Sequence, residues 1–268
     1  MTEAWGGGRL APDILCVLAP NPGPMTLDGT NTYVLGEPGG PLVVVDPGPE
    51  HAGHRRAVLQ AAAPGTVAAV VLTHTHPDHA EGAASFAAEA GCHVLGADPA
   101  LGGLQAGLLE LPGTSVEVVP TPGHTSDSVC LLVGRALLTG DTLLGRGTTV
   151  VAHPDGTLAD YLDSLRLLAD LARERGPLRL MPGHGPAGAD VGTVVAQYTE
   201  HRSQRLDEVV AAVARGARSA EDVVATVYRD VPRRLWPAAL LSVQAQLDHL
   251  VATGRLRRER GVLSEPDA

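Results

Sequence analysis

Along the first two thirds of the chain, apolar residues gather in short runs closed by Gly, Pro, Asp or Asn, and these runs alternate with stretches where Ala, Leu and Val recur every three or four positions. Closed apolar runs are the pattern of buried strands, and the longer spacing is that of helices. The pattern predicts strands over 32–35, 42–45, 67–72, 93–95, 115–119, 129–133, 136–138 and 178–181, and helices over 54–63, 82–90 and 161–173. From Gln197 onward the strand signal stops. An amphipathic helix is expected over 203–214. A second starts at Ser219, whose hydroxyl suits an N-cap with Glu221 and Asp222 in the first turn, and a third covers 240–252. Residues 254–263 then read as a short hairpin. The chain therefore divides into an α/β unit, 1–194, and a smaller unit of three helices and a hairpin with the outline of a winged helix, 195–268.

Composition refines this picture in two respects. Hydrophobic residues make up 44% of the 268 but aromatic ones only 3%, so the core must be built from Ala, Val and Leu. The net charge of -10 is unevenly spread: residues 1–194 hold 9 Arg against 20 acids, and residues 195–268 hold 11 Arg against 10 acids. Such a surface argues against indiscriminate nucleic-acid binding, and the relatively basic tail is either a face toward an anionic substrate or a solvated helical surface. All 20 basic residues are Arg, a bias of codon usage in a GC-rich genome that carries no functional weight.

Cys16, Cys92 and Cys130 have no paired spacing and are expected as buried, reduced thiols. The acidic, Gly-rich start of the chain is not expected to act as a signal or transit peptide, and the apolar stretch 14–19 is too short to span a bilayer. A cytoplasmic protein with no membrane partner is the expectation.

The chemistry concentrates in Thr-His-Thr-His-Pro-Asp-His at 73–79, directly after the apolar run 67–72. In an extended segment His74 and His76 leave the backbone on one face, and imidazole with carboxylate is a ligand set that suits zinc. Asp78 and His79, beyond the Pro77 turn, can address a second ion. Three more polar residues follow predicted strands beside glycine: His124 in Thr-Pro-Gly-His-Thr, Asp141 in Thr-Gly-Asp-Thr and His184 in Met-Pro-Gly-His-Gly. Glycine there would let the backbone turn sharply and aim each ligand into one pocket. These residues supply what two zinc ions need if one carboxylate bridges them. Histidines that merely fill a core would not recur at successive strand ends beside glycine.

His74 through His79 match the H-x-H-x-D-H motif of the metallo-β-lactamase superfamily, which the chain resembles, and His124, Asp141 and His184 follow in that family's order. The resemblance implies an αββα sandwich, with His74, His76 and His124 on one zinc, Asp78, His79 and His184 on the other, and Asp141 bridging. An aspartate at 141, where lactamases of this fold commonly carry cysteine, points away from antibiotic hydrolysis. Residues 21–33, 140–149, 161–165 and 197–202 are similar to the β-lactamase-like protein 2 branch, and the similarity spans nearly the whole chain. That branch implies a C-terminal winged helix. Its animal member is an endoribonuclease acting on single-stranded RNA, and related fungal proteins are thioesterases that release polyketides from a carrier protein.

Asp46, in Val-Val-Val-Asp-Pro-Gly, resembles the family's aspartate that orients metal ligands from behind. Asn31, Arg146, Thr148 and Thr149 lie in family-like loops expected to rim the pocket, and His201 matches a family histidine. Two zinc ions would acidify a shared water and polarise the scissile oxygen, with Asp78 and Asp141 as the catalytic carboxylates. Iron or manganese would suit the same ligands.

Three readings follow. Cleavage of single-stranded RNA is narrowly preferred, on the length of the branch resemblance and the tail's basicity. Hydrolysis of a small acyl thioester comes second. A non-catalytic, metal-binding regulator of DNA comes last. Recognition of double-stranded DNA is not expected, because Asp207, Glu208, Asp248 and Glu259 dilute the basic face. A lid or a homodimer contact explains the C-terminal unit without base readout.

Overall fold

The computed structural model describes residues 4–266. One sheet runs in the order β1 (Gly8–Ala11), β2 (Ile14–Leu18), β3 (Asn31–Leu35), β4 (Pro41–Val45), β5 (Thr66–Val71) and β6 (His93–Leu95), antiparallel as far as β4 and parallel beyond it. A second sheet places β11 (Arg179–Pro182), β10 (Ala136–Gly140), β9 (Val129–Val133), β8 (Thr114–Pro120) and β7 (Gly107–Leu111) side by side, with only the β10–β11 pair parallel.

Both sheets are covered on both faces, and the two-residue period of each strand sorts its side chains between layers. Tyr33, Leu35, Val43, Val45, Val129, Leu131 and Leu138 fill the space between the sheets. Their neighbours Val34, Leu42 and Val44 turn outward to meet Val58 of α1 (Ala52–Ala62) and Phe86 of α3 (Ala83–Ala90). Cys130, Leu132, Leu137 and Leu180 turn the other way, toward Leu165 and Leu168 of α4 (Leu158–Arg175). The result is the four-layer αββα sandwich that the resemblance implied, built largely from Val, Leu and Ala.

Three strands lie outside the predicted set. β1 and β7 are edge strands, Leu108 of β7 being exposed, so neither has two covered faces to mark it. β2 is an inner strand, paired with β1 and β3, and its apolar run reads in the sequence only as too short to span a bilayer. Cys16 and Cys130 are buried, Cys92 is half-buried, and all three are free thiols. Among the described residues, no helix is long and apolar enough to cross a membrane.

The C-terminal helices are α5 (Val191–Ala214), α6 (Ala220–Val227) and α7 (Trp236–Ala252), followed by the hairpin β12 (Arg257–Glu259) and β13 (Val262–Ser264). Ser219 caps α6 as expected, in a reciprocal box with Asp222. α5 starts twelve residues before the amphipathic stretch predicted from 203, because the Asp190 side chain accepts from Thr193 N and opens the helix there. The boundary expected between 194 and 195 thus falls inside a continuous helix. Val195 and Tyr198 in its first half share one cluster with α4, and Val209 and Val213 in its second half carry the same cluster into α6 and α7.

This shared core makes a prediction. Leu250 of α7 is fully buried in the cluster, so Leu250→Ala should cost about 2–5 kcal/mol in urea unfolding. A loss well under 1 kcal/mol, on the scale of an exposed position, would mean that α7 is not part of this core.

Candidate metal centre

β8, β10 and β11 point the same way, so their C-terminal ends share one edge of the second sheet. The end of β5 is tied to that edge where Val129 N donates to the Thr73 carbonyl at 2.8 Å. The predicted ligands lie just past these four ends. His74 and His76 are in the extended segment after β5, and Pro77 at the first position of the short helix α2 (Pro77–Ala80) turns the chain so that Asp78 and His79 follow. His124 follows β8, Asp141 follows β10 directly, and His184 follows β11.

Glycine works here in two ways. Gly140 has φ +46, and a Cβ on it would lie 2.4 Å from Thr73 Oγ1. Gly183 makes no left-handed turn, but a Cβ would lie 2.6 Å from both Asp141 Oδ1 and His79 Cε1, so this position keeps the ligand space clear.

The seven ligand atoms converge. His74, His76 and His124 form one group, Asp78, His79 and His184 a second, and His74, His79 and Asp141 a third, with ligand atoms within 4.8 Å of one another in each. His124 Nε2 is 3.0 Å from His76 Nδ1, and His184 Nε2 is 3.2 Å from His79 Nε2. Asp141 reaches across both sides: Oδ2 lies 3.7 Å from His124 Nε2 and 3.4 Å from His184 Nε2, and Oδ1 lies 3.4 Å from His79 Nε2. His74 Nε2 and Asp141 Oδ1 are buried with no hydrogen-bond partner. Orphaned, buried acceptors of these types facing one another are what a cation would satisfy, so the residues fit a metal.

The outward nitrogens are fixed from behind. His79 Nδ1 meets Asp46 Oδ2 at 2.9 Å, and that carboxylate also accepts from Thr73 N at 2.8 Å and Thr73 Oγ1 at 2.7 Å. Thr73 Oγ1 is 3.1 Å from His74 Nδ1. His124 Nδ1 donates to the Val150 carbonyl at 2.6 Å and His184 Nδ1 to that of Gly29 at 3.2 Å. Each contact fixes its ring so that Nε2 faces the cluster. Asp46 holds its place at φ +51, a backbone state that the surrounding bonds must stabilise.

Burial works against every charge in the cluster, yet the groups separate. Burial, reinforced by the neighbouring His79, holds His74 well below the ordinary imidazole range, and burial lowers His124 as well. At His184 burial is outweighed by Asp141 and Asp78, which raise it to about 9, and at His79 by Asp141 and Asp46, which raise it well above its usual value. Asp141 would be raised by burial but is held well below the carboxylate range by His184 and His79. Asp78 is lowered for a similar reason, with His184 first among the groups that overcome its burial.

Beside the cluster lies a cavity of about 320 Å³ that reaches from His124 and Asp141 to the C-terminal helices. Arg146, Thr148 and Thr149 of the loop expected at the pocket line it, and so does His201 of α5. Arg146 is half-exposed and paired with Asp28 at 2.7 Å, Thr148 is exposed, and Thr149 is buried with Oγ1 3.2 Å from His124 Nδ1. Asn31 is a correction. It is fully buried, donates to the carbonyls of Pro182 and Gly185 at 2.9 Å each and accepts from Trp5 Nε1 at 2.7 Å, so it braces the His184 loop and has nothing left for a substrate. Sequence reading missed Arg202, which also lines the cavity, and the Val150 and Gly29 carbonyls; backbone acceptors have no residue signature, and an arginine inside a helix looks like surface.

A metallo-beta-lactamase superfamily model matches residues 25–101 and 93–184, and a beta-lactamase associated winged helix domain model matches residues 219–262. The chain belongs to the metallo-β-lactamase superfamily. Members are metal-dependent hydrolases, and this chain, with a complete ligand cluster, is one of them. A beta-lactamase-like protein 2 homolog of Drosophila melanogaster is 33% identical, covering 93% of this chain and 91% of that one. An atrochrysone carboxyl ACP thioesterase of Passalora fulva is 31% identical over 82% of this chain and 69% of its own. A beta-lactamase domain protein from Burkholderia ambifaria has the same fold, with TM-score 0.82 at 24% identity over 98% of this chain and 93% of that one.

Two measurements probe this metallo-β-lactamase centre. Asp46→Asn should weaken metal binding about 10–100-fold in competition with a chelator; unchanged affinity would deny Asp46 its role behind His79. Metal ligands must be neutral imidazoles, and His184, raised to about 9, holds a proton at pH 7.5 in the metal-free chain. Metal uptake at pH 7.5 should therefore release protons, seen as a buffer-dependent heat in calorimetry, and the release should shrink above about pH 9. A heat independent of the buffer would contradict this assignment.

Proposed function

We propose that the chain hydrolyses acyl thioesters with two zinc ions, one held by His74, His76 and His124, the other by Asp78, His79 and His184, with Asp141 between them. One observation carries the choice of substrate. The C-terminal helical region contributes Val231, Leu235, Ala238 and Ala239 to the cavity lining, and with Leu144 and Val150 they make much of its wall apolar. An acyl chain would be buried there and a string of phosphates would not. The thioesterase among the relatives supports the same reading.

Bound ions would supply Lewis acidity for the scissile carbonyl and a water acidic enough to attack it near neutral pH. The protein supplies the rest. Asp141, the less exposed carboxylate at 11% against 29% for Asp78, keeps the two ligand groups in register. Asp78, more open to solvent, accepts the proton of the attacking water and returns it to the departing thiolate. The outer contacts of Asp46, Thr73 and the Val150 and Gly29 carbonyls keep the imidazoles from turning as charge develops. A reducing cytoplasm, where Cys16, Cys92 and Cys130 stay thiols, fits this reading.

Cleavage of single-stranded RNA, preferred on sequence alone, becomes the second reading. Arg146, Arg202 and Arg205 on the cavity wall favour it. Against it, the cavity's tyrosine, Tyr228, has a face covered by the Arg205 guanidinium 4.7 Å from the ring centroid, which leaves that face closed to a stacking base.

Zinc-loaded protein assayed on thioesters and on a labelled single-stranded RNA, with a chelator and Asp141→Ala as controls, separates the two. Metal-dependent thioester turnover that Asp141→Ala lowers at least about 100-fold is expected, on the scale of other groups that stabilise charge at a reacting centre. RNA cutting sensitive to both controls, without thioester turnover, would reverse the order. Full turnover with two ions bound in Asp141→Ala would refute the bridging role.

A further inference from the structure

The cavity beside the metal ligands holds a positive charge that the protein leaves unanswered. Of the three arginines lining it, Arg146 pairs with Asp28 at 2.7 Å and Arg205 with Glu208 at 2.6 Å. Arg202 has no carboxylate partner among the described residues. It is 3% exposed, its Nη2 donates to the Thr149 carbonyl at 2.7 Å, and its guanidinium lies 4.8 Å from the Tyr161 ring centroid. Its Nε is buried with no hydrogen-bond partner, and so is Nδ1 of the adjacent His201. A guanidinium out of water is strongly disfavoured unless a counter-charge meets it, and one carbonyl with a ring face is a weak substitute. Asp141, the carboxylate of the same cavity, is committed to His79 and His184.

We propose that Arg202 recognises an anionic group of the substrate, a carboxylate or a phosphate outside the scissile bond. The inference rests on the thioester reading and narrows its substrates. A guanidinium fork suits either anion, and the cavity that Arg202 lines reaches His124 and Asp141, so one substrate can meet both. The carboxylate would belong to the acyl group and the phosphate to the thiol portion. If Arg202 were only a strut for Thr149, its removal would affect neutral and anionic substrates alike. As an anion contact, it changes their ratio.

The test uses the metal-loaded full chain. In one arm, kcat/KM for N-acetylcysteamine monothioesters of succinate, glutarate and adipate is compared with that for the butanoyl, pentanoyl and hexanoyl thioesters. In the other, one neutral acyl group is compared on coenzyme A and on N-acetylcysteamine. A preference of about tenfold or more for the charged member is expected in one arm, the scale of a hydrogen bond to a charged group. The first arm identifies a carboxylate and the second a phosphate. Arg202→Gln should collapse the preference to under about twofold, and Arg202→Lys should keep part of it. A wild-type ratio near one in both arms overturns the proposal, as does an undiminished ratio in Arg202→Gln.

Calorimetric titration of adipate against hexanoate, and of 4′-phosphopantetheine against pantetheine, reads the same contact without turnover. The charged member of one pair should bind about tenfold tighter to the wild type and no tighter to Arg202→Gln. That binding difference with every thioester inert would overturn the thioester reading and leave Arg202 in its role. Equal binding with turnover intact would remove Arg202 and leave the reading standing.

Discussion

Polar ligand groups packed together out of water are poorly satisfied by one another, and this constraint organises the molecule around its ligand cluster. His74 Nε2 and Asp141 Oδ1 lack a hydrogen-bond partner, and Asp141 approaches imidazoles of both ligand groups only at 3.4 to 3.7 Å. Such a cluster persists only if the scaffold prevents it from relaxing. The scaffold does so through four strand ends at one edge, through Thr73 bonded to both Asp46 and β9, and through glycines whose missing side chains leave room for ligands. The folded chain holds the arrangement in advance, so that a cation need only enter it.

How much of this was legible in the sequence follows from how each feature is encoded. Strands covered on both faces, such as β4, β9 and β10, write themselves as unbroken apolar runs and were readable to within a residue or two. Edge strands β1 and β7 have a face in water and blend into their surroundings. The seven ligands were visible because they are rare residue types at regular places, and Asp46 because its motif resembled a known one. Their outer partners were only half visible. Thr73 sat in the motif without a role, and the carbonyls that fix His124 and His184 belong to residues of no special chemistry.

Asn31 and Arg202 show the same limit from opposite sides. Asn31 lay in a family-like loop and was expected at the pocket, but only the fold reveals that two carbonyls and an indole already use its amide. Arg202 looked like one more charge on a helix. Its burial against Tyr161 and its bond to the Thr149 carbonyl depend on a loop more than fifty positions earlier in the chain, which no local pattern reports.

The long helix α5 has a consequence for how such proteins diversify. Tyr198 accepts a hydrogen bond from Leu144 N and Arg202 holds the Thr149 carbonyl, so the first half of the helix is locked to the loops beside the ligands, while its second half roots the C-terminal helices. The ligands sit on one side of this joint, and much of the pocket wall sits on the other. Drift or recombination after residue 214 can therefore reshape what the pocket accepts while the reactive centre is inherited intact, which allows one ancestral hydrolase to give rise to lineages with different substrates.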